Sequence, residues 1–147
     1  MHSLIGGALF LFLGGEKMEK IKIINKNVVE KIITDLQKIP KNEHIEEILI
    51  EEIQNSPKRT IEKYMDTLST DEKIDLYALM FFGREILEND EEESLKMFVK
   101  NRKHAEDLIE QKGFYGNYLT GNSKLLLYLN KSLIIYKILD NKNSFIF

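Results

Sequence analysis

The stretch from Ile74 to Phe82 constrains this chain most. Ile74, Leu76, Tyr77, Ala78, Leu79, Met80, Phe81 and Phe82 leave almost no polar face at helical spacing. A helix that is apolar all round must be buried by other helices or lie in a bilayer. A bilayer span needs about 20 apolar residues, and this run is shorter, with charged residues on both sides. It is therefore expected to be the buried central helix of a bundle, over about residues 70–83. Ser69-Thr70-Asp71-Glu72 has the form of a capping box and opens it. Gly83 is expected to end or bend it.

The partners of that helix are legible from apolar periodicity. Val29, Ile32, Ile33, Leu36 and Ile39 form one face of a first helix, with a capping-box form at Asn27 to Glu30 and a stop at Pro40. Lys20 to Ile24 reads as a short extended piece or the lead-in to that helix. Ile45, Ile48, Leu49 and Ile53 predict a short second helix. Ser56-Pro57 starts a third, with Ser as cap and Pro where no amide is needed. Ile61, Tyr64, Met65 and Leu68 are its buried stripe. Asn89-Asp90 caps a longer helix whose first turn is acidic, as its positive end favours. Leu95, Phe98, Val99, Arg102, Ala105 and Ile109 lie on one side of it, and Gly113 marks its end. Phe114 to Gly121 reads as a loop or short turn. A last helix begins at Asn122-Ser123 and runs past Leu139. The fold class is thus all-α, an irregular bundle of five or six helices.

Length and composition narrow the rest. A chain of 147 residues favours one domain. With no cysteine it has no disulfide, iron–sulfur cluster or thiolate zinc site of its own. That absence fits a reducing compartment, so a cytoplasmic setting is expected. The formal charge is -3, and no clustered basic face suggests nucleic-acid binding. Nearly all the basic residues are lysine; Arg59, Arg84 and Arg102 are the three arginines. The abundance of Ile, Lys and Asn suits an AT-rich bacterial or phage genome.

Residues 1–17 do not share the helical patterning. Leu4 to Gly15 is apolar, broken by Gly6-Gly7 and too short to span a membrane. Met1-His2-Ser3 supplies no basic start for a signal peptide, and no small-residue cleavage site follows. Gly14-Gly15-Glu16-Lys17-Met18 can be encoded by a purine-rich, ribosome-binding-like stretch just before a start codon. One reading makes residues 1–17 a translated leader and Met18 the true start, with residues 18–147 the single helical domain. The other makes the leader an apolar tail, frayed or loosely docked. The intact mass of the endogenous protein separates the two.

Two stretches carry a resemblance. Leu76-Tyr77-Ala78-Leu79-Met80-Phe81-Phe82-Gly83-Arg84 resembles the pattern L-x-A-L-x-W-L-G-R-G of a bacterial family of small helical proteins of unknown function. Tyr118-Leu119-Thr120-Gly121, Leu125, Tyr128-Leu129 and Leu133 resemble its Y-L-L-G-x-P-L-L-x-x-Y-L-x-x-G-L element without gaps. Ile23 to Ile33 is similar to its opening helix, so the resemblance spans most of residues 20–139. The departures are Phe81 for Trp, Glu85 for Gly, Ser123 for Pro, Lys124 for Leu and Ser132 for Gly. The resemblance implies a helical fold and no known activity.

Four residues stand out as candidates for binding. Arg84 follows the apolar helix and a glycine. Its guanidinium can anchor a carboxylate or other anion, for example on a partner protein. Alternatively it caps carbonyls at the helix end or pairs with Asp71. Tyr115, Asn117 and Tyr118, with Phe114, are aromatics interleaved with small polar residues. They suit a recognition surface or a plug that seats the last helix. Stacking on single-stranded nucleic acid lacks the accompanying basic groove. His2, His44 and His104 have no ligand spacing and read as solvated residues. Asp71, Glu72 and Asp75 offer carboxylates for a hydrated metal, but a capping pair plus a surface acid explains them. No nucleophile elbow, phosphate loop, dinucleotide fingerprint, zinc-protease or calcium-loop pattern occurs. The expectation is a noncatalytic protein-interaction or regulatory module, with an unknown protein partner or self-association. No catalytic residue, cofactor, metal, nucleic acid or membrane is expected. The alternative is a small ligand-binding protein or enzyme with a pocket near Arg84 and Asp71.

Overall fold

A computed structural model describes residues 22–39 and 56–143. Seven helices occur among them. They are α1 (Lys26–Gln37), α2 (Pro57–Asp66), α3 (Thr70–Glu85), α4 (Glu91–Lys112), α5 (Gly116–Thr120), α6 (Leu125–Ser132) and α7 (Ile134–Asn143). The all-α expectation holds. The leader, the Met18 start and the helix expected around Ile45–Ile53 lie outside the described residues.

Side chains at the helix starts set most of the boundaries. Ser69 Oγ accepts from the Glu72 amide at 3.1 Å, and Glu72 Oε1 accepts from the Ser69 amide at 2.9 Å, completing the box that opens α3. Ser56 accepts from Arg59 N ahead of Pro57, and Asp90 accepts from Glu93 N at 2.7 Å. Each such cap contributes about 1 kcal/mol. The cap of α1 is Asn25, two residues before the expected Asn27, and its side chain accepts from the Asn27 amide. Gly113 closes α4 with φ 84°, a backbone conformation open to glycine.

The helix α3 is the hub. Every residue from Ile74 to Gly83 is buried. It packs along α4 on one side and α6 on another, while α1 and α2 touch each other and α6 meets α1. The short α5 lies on α2, and α7 lies on α4. Phe82 meets Phe98 of α4 edge to face, at 5.7 Å between centroids. Each fully buried side chain of this size is worth about 1.5–3 kcal/mol relative to exposure, so α3 supplies much of the core.

Two expectations need correction. Gly83 does not end α3, which runs on to Glu85. A Cβ at Gly83 would lie 1.9 Å from the Tyr128 carbonyl oxygen, so the glycine marks where α3 and α6 cross backbone to backbone. The expected last helix is two helices that break at Leu133. There the Ser132 hydroxyl is buried and donates back to the Leu129 carbonyl at 2.7 Å, competing with the helical ladder.

Candidate functional site

Positions two apart on a helix point to opposite sides, and α3 uses this to build two different polar environments. Tyr77 faces α5. Asp75 faces α4, α7 and the segment before α1.

On the Tyr77 side, aromatic rings are layered. The Tyr77 ring lies 5.0 Å from Phe114 and 5.1 Å from Tyr118, and Phe81 lies 6.5 Å from Tyr118. The Tyr77 hydroxyl accepts from the Tyr115 amide at 2.9 Å and donates to the Tyr115 carbonyl at 3.3 Å. Burial pushes this phenol above its ordinary range, and the backbone hydrogen bond to Tyr115 partly offsets that rise. At its other end α5 is tied to α2. Thr120 Oγ1 donates to Glu62 Oε2 at 2.5 Å, and Arg59 pairs with Glu62 Oε1 at 3.2 Å. Gly116 lets the two backbones approach, because a Cβ there would sit 3.3 Å from Glu62 Cα. The Phe114–Gly121 stretch is therefore a one-turn helix pinned at both ends.

The pinning leaves Tyr115 58% and Tyr118 46% exposed, while Leu119 between the turns is buried. Asn117 is exposed on the same turn. Arg84 is exposed too, with its guanidinium 5.2 Å from the centre of the Phe81 ring. Exposed His104 of α4 packs on that same ring at 5.0 Å, and Lys73 lies 5.4 Å from the centre of Phe114. The structure thus gathers Arg84, Tyr115 and Tyr118 around one ring cluster. Sequence reasoning missed Lys73 and the ring contact of His104. The signal was present, since Lys73, Tyr77, Phe81 and Arg84 are spaced along one face of α3.

Arg84 and Asp71 do not share a site. They lie at opposite ends of a continuous helix, about 20 Å apart along its axis. That removes an Arg84–Asp71 ion pair. The metal reading of Asp71, Glu72 and Asp75 fails as well. Glu72 is engaged in its capping box and Asp75 points inward. No group of three metal-ligating side chains occurs among the described residues.

Asp75, read as a surface acid, is 2% exposed and faces Arg102, itself 4% exposed, at 3.2 Å. Asp75 Oδ2 accepts from the Ile24 amide at 2.8 Å, and Arg102 donates to the Lys22 carbonyl at 3.3 Å. Tyr136 of α7 donates to the Ile24 carbonyl at 2.7 Å. Three helices thereby hold the main chain that leads into α1. Burial raises the Asp75 carboxyl to about 6, against the attraction of Arg102 and the hydrogen bond from Ile24. Burial likewise pushes the Tyr136 phenol far above its usual range.

Two predictions arise here. Asp75 binds its proton more tightly folded than unfolded between the ordinary carboxyl value of 3.8 and about 6. Its contribution to stability is full below that window and is lost as pH rises through about 6. Denaturation of the native chain minus that of Asp75→Asn, measured across pH 4–7, should slope downward in this window; a flat difference would contradict it. Tyr77→Phe deletes both hydrogen bonds to Tyr115 and should cost about 1–2 kcal/mol. Hydrogen exchange should show the Tyr115 amide losing protection while the α4 core keeps its own.

Residues 58–137 match the family model described as a protein of unknown function, DUF3775, over just more than half of the chain. The chain belongs to the DUF3775 family. The DUF3775 span runs from the second residue of α2 into α7, and includes Arg84, Tyr115, Asn117, Tyr118, Asp75 and Arg102. The Ile23–Ile33 stretch lies before it. No curated protein and no solved structure matches the chain. Among the described residues no helix is long and apolar enough to cross a membrane.

Proposed function

We propose that this chain is a noncatalytic protein-interaction or regulatory module acting in the cytoplasm, with Arg84, Tyr115, Asn117 and Tyr118 in its contact surface. One observation carries the reading. Two tyrosines are about half exposed, although the turn that bears them is fixed to α3 and α2 by three side-chain hydrogen bonds and the close approach of Gly116 to Glu62. Exposed rings on a rigid base give a partner a large contact area at small entropic cost. A plug whose only duty was to seat α6 would turn those rings inward, as Phe114 and Leu119 are turned. Arg84 beside them adds a residue type enriched at binding hot spots.

The test is affinity purification of the C-terminally tagged full chain from its host, beside Arg84→Ala and Tyr118→Ser versions shown by circular dichroism to fold. A stoichiometric partner is expected with the native chain and lost with both variants. Light scattering on the eluate separates a second copy from a different protein. A partner retained by both folded variants would remove this face from the account.

A further inference from the structure

The three arginines are not in equivalent settings. Arg59 pairs with Glu62 and Arg102 with Asp75. Arg84 has no carboxylate partner among the described residues, and neither does Lys73. Both cations sit over rings of the same cluster, Lys73 on Phe114 and Arg84 on Phe81. His104 packs on the Phe81 ring as well. A chain of net charge -3 thus places Arg84, Lys73 and His104 against one group of rings.

We propose that this face binds an acidic segment of a partner protein, with apolar side chains on the rings of Tyr115 and Tyr118 and carboxylates on Arg84 and Lys73. The inference rests on the interaction-module reading above and names its partner class. The Phe81 ring, 5.2 Å away, attracts the guanidinium without using its N–H donors, which can then meet a carboxylate in bidentate fashion. Lys73 and Arg84 are eleven positions apart on α3, about 16 Å along the axis. The rings lie between, so the matching segment carries acids on either side of an apolar stretch. Single-stranded nucleic acid also stacks on rings, but its backbone needs a continuous cationic groove. Two basic side chains about 16 Å apart do not provide one.

The probe is a random peptide library displayed on phage and panned on the full chain, with Tyr118→Ser as the subtracting bait. Enriched peptides are expected to carry Asp or Glu on both sides of apolar residues. Their affinity should fall at least about tenfold with Arg84→Glu, and also as salt is raised. Lys73→Glu should reproduce the loss in a variant whose circular dichroism is native. Peptides enriched without acids, and indifferent to Arg84→Glu, would overturn the acidic partner while leaving the interaction face standing. No enrichment over Tyr118→Ser would overturn the face itself. Tighter binding of a short oligothymidylate than of any peptide would overturn the partner class.

Discussion

Arg102→Met is expected to remove about 3–5 kcal/mol of stability, the usual cost of stripping one partner from a buried ion pair. Methionine restores most of the volume, so packing loss is a small part of the effect. What remains is a 2%-exposed carboxylate without its cation and a Lys22 carbonyl without its donor. Native domains hold only about 5–15 kcal/mol in reserve, and the change should lower the melting temperature by roughly 10–20 °C. Asp75→Leu combined with Arg102→Met should recover part of that loss, since no buried charge is then left alone. Recovery stays incomplete because the Ile24 amide has lost its acceptor. Calorimetry on the two single variants and the double variant gives the coupling directly. Additive losses would mean that the pair does not act as a unit.

Gly83→Ala tests the crossing of α3 and α6, and two effects of opposite sign compete. Alanine in a helix interior is favoured over glycine by about 1 kcal/mol. Against this, the new Cβ would lie 1.9 Å from the Tyr128 carbonyl oxygen and 2.6 Å from its carbon, both backbone atoms that no rotamer change can move. Overpacking a fixed contact costs about 1–3 kcal/mol and sometimes more. The clash should win, with a net loss of about 2 kcal/mol or more in chemical denaturation. A stabilised Gly83→Ala would show that the helices part easily and that the crossing is not tight. Gly121, by contrast, meets only Asn117 within its own turn.

Both sites show what the sequence could and could not disclose. Caps are local, so Ser56, Ser69 and Asp90 are readable from residues three apart. The buried run of α3 is readable because it lacks a polar face. The Asp75–Arg102 pair joins two helices, and nothing in either local pattern names its partner. Its trace is nonetheless there. Asp75 interrupts the apolar run of α3, and Arg102 stands on the apolar side of α4 with Leu95, Phe98 and Ala105. A charge at a core position needs a partner at another core position, and these two were the available match. Gly83 deceived for a different reason. A glycine near a helix end reads as a stop, while a close approach by another backbone depends on tertiary packing that no local window contains.

The candidate surface was legible as residue types and not as geometry. Arg84 lies 31 positions before Tyr115, and only the folding of α5 onto α2 and α3 brings the two to one ring cluster. The Tyr77 hydroxyl does that work by binding both backbone groups of Tyr115. No sequence pattern announces a phenol that binds both backbone groups of a residue 38 positions away.

The central claim is that the Tyr115–Tyr118 face with Arg84 meets another protein. The most direct measurement is photo-crosslinking in the host, with a benzophenone amino acid placed at Tyr115, at Asn117, and at exposed Lys26 beside the segment on the opposite side of α3. The account predicts one dominant protein adduct, shared by the Tyr115 and Asn117 positions and absent at Lys26. Equal labelling at all three positions, or none above background at Tyr115 and Asn117, would contradict it.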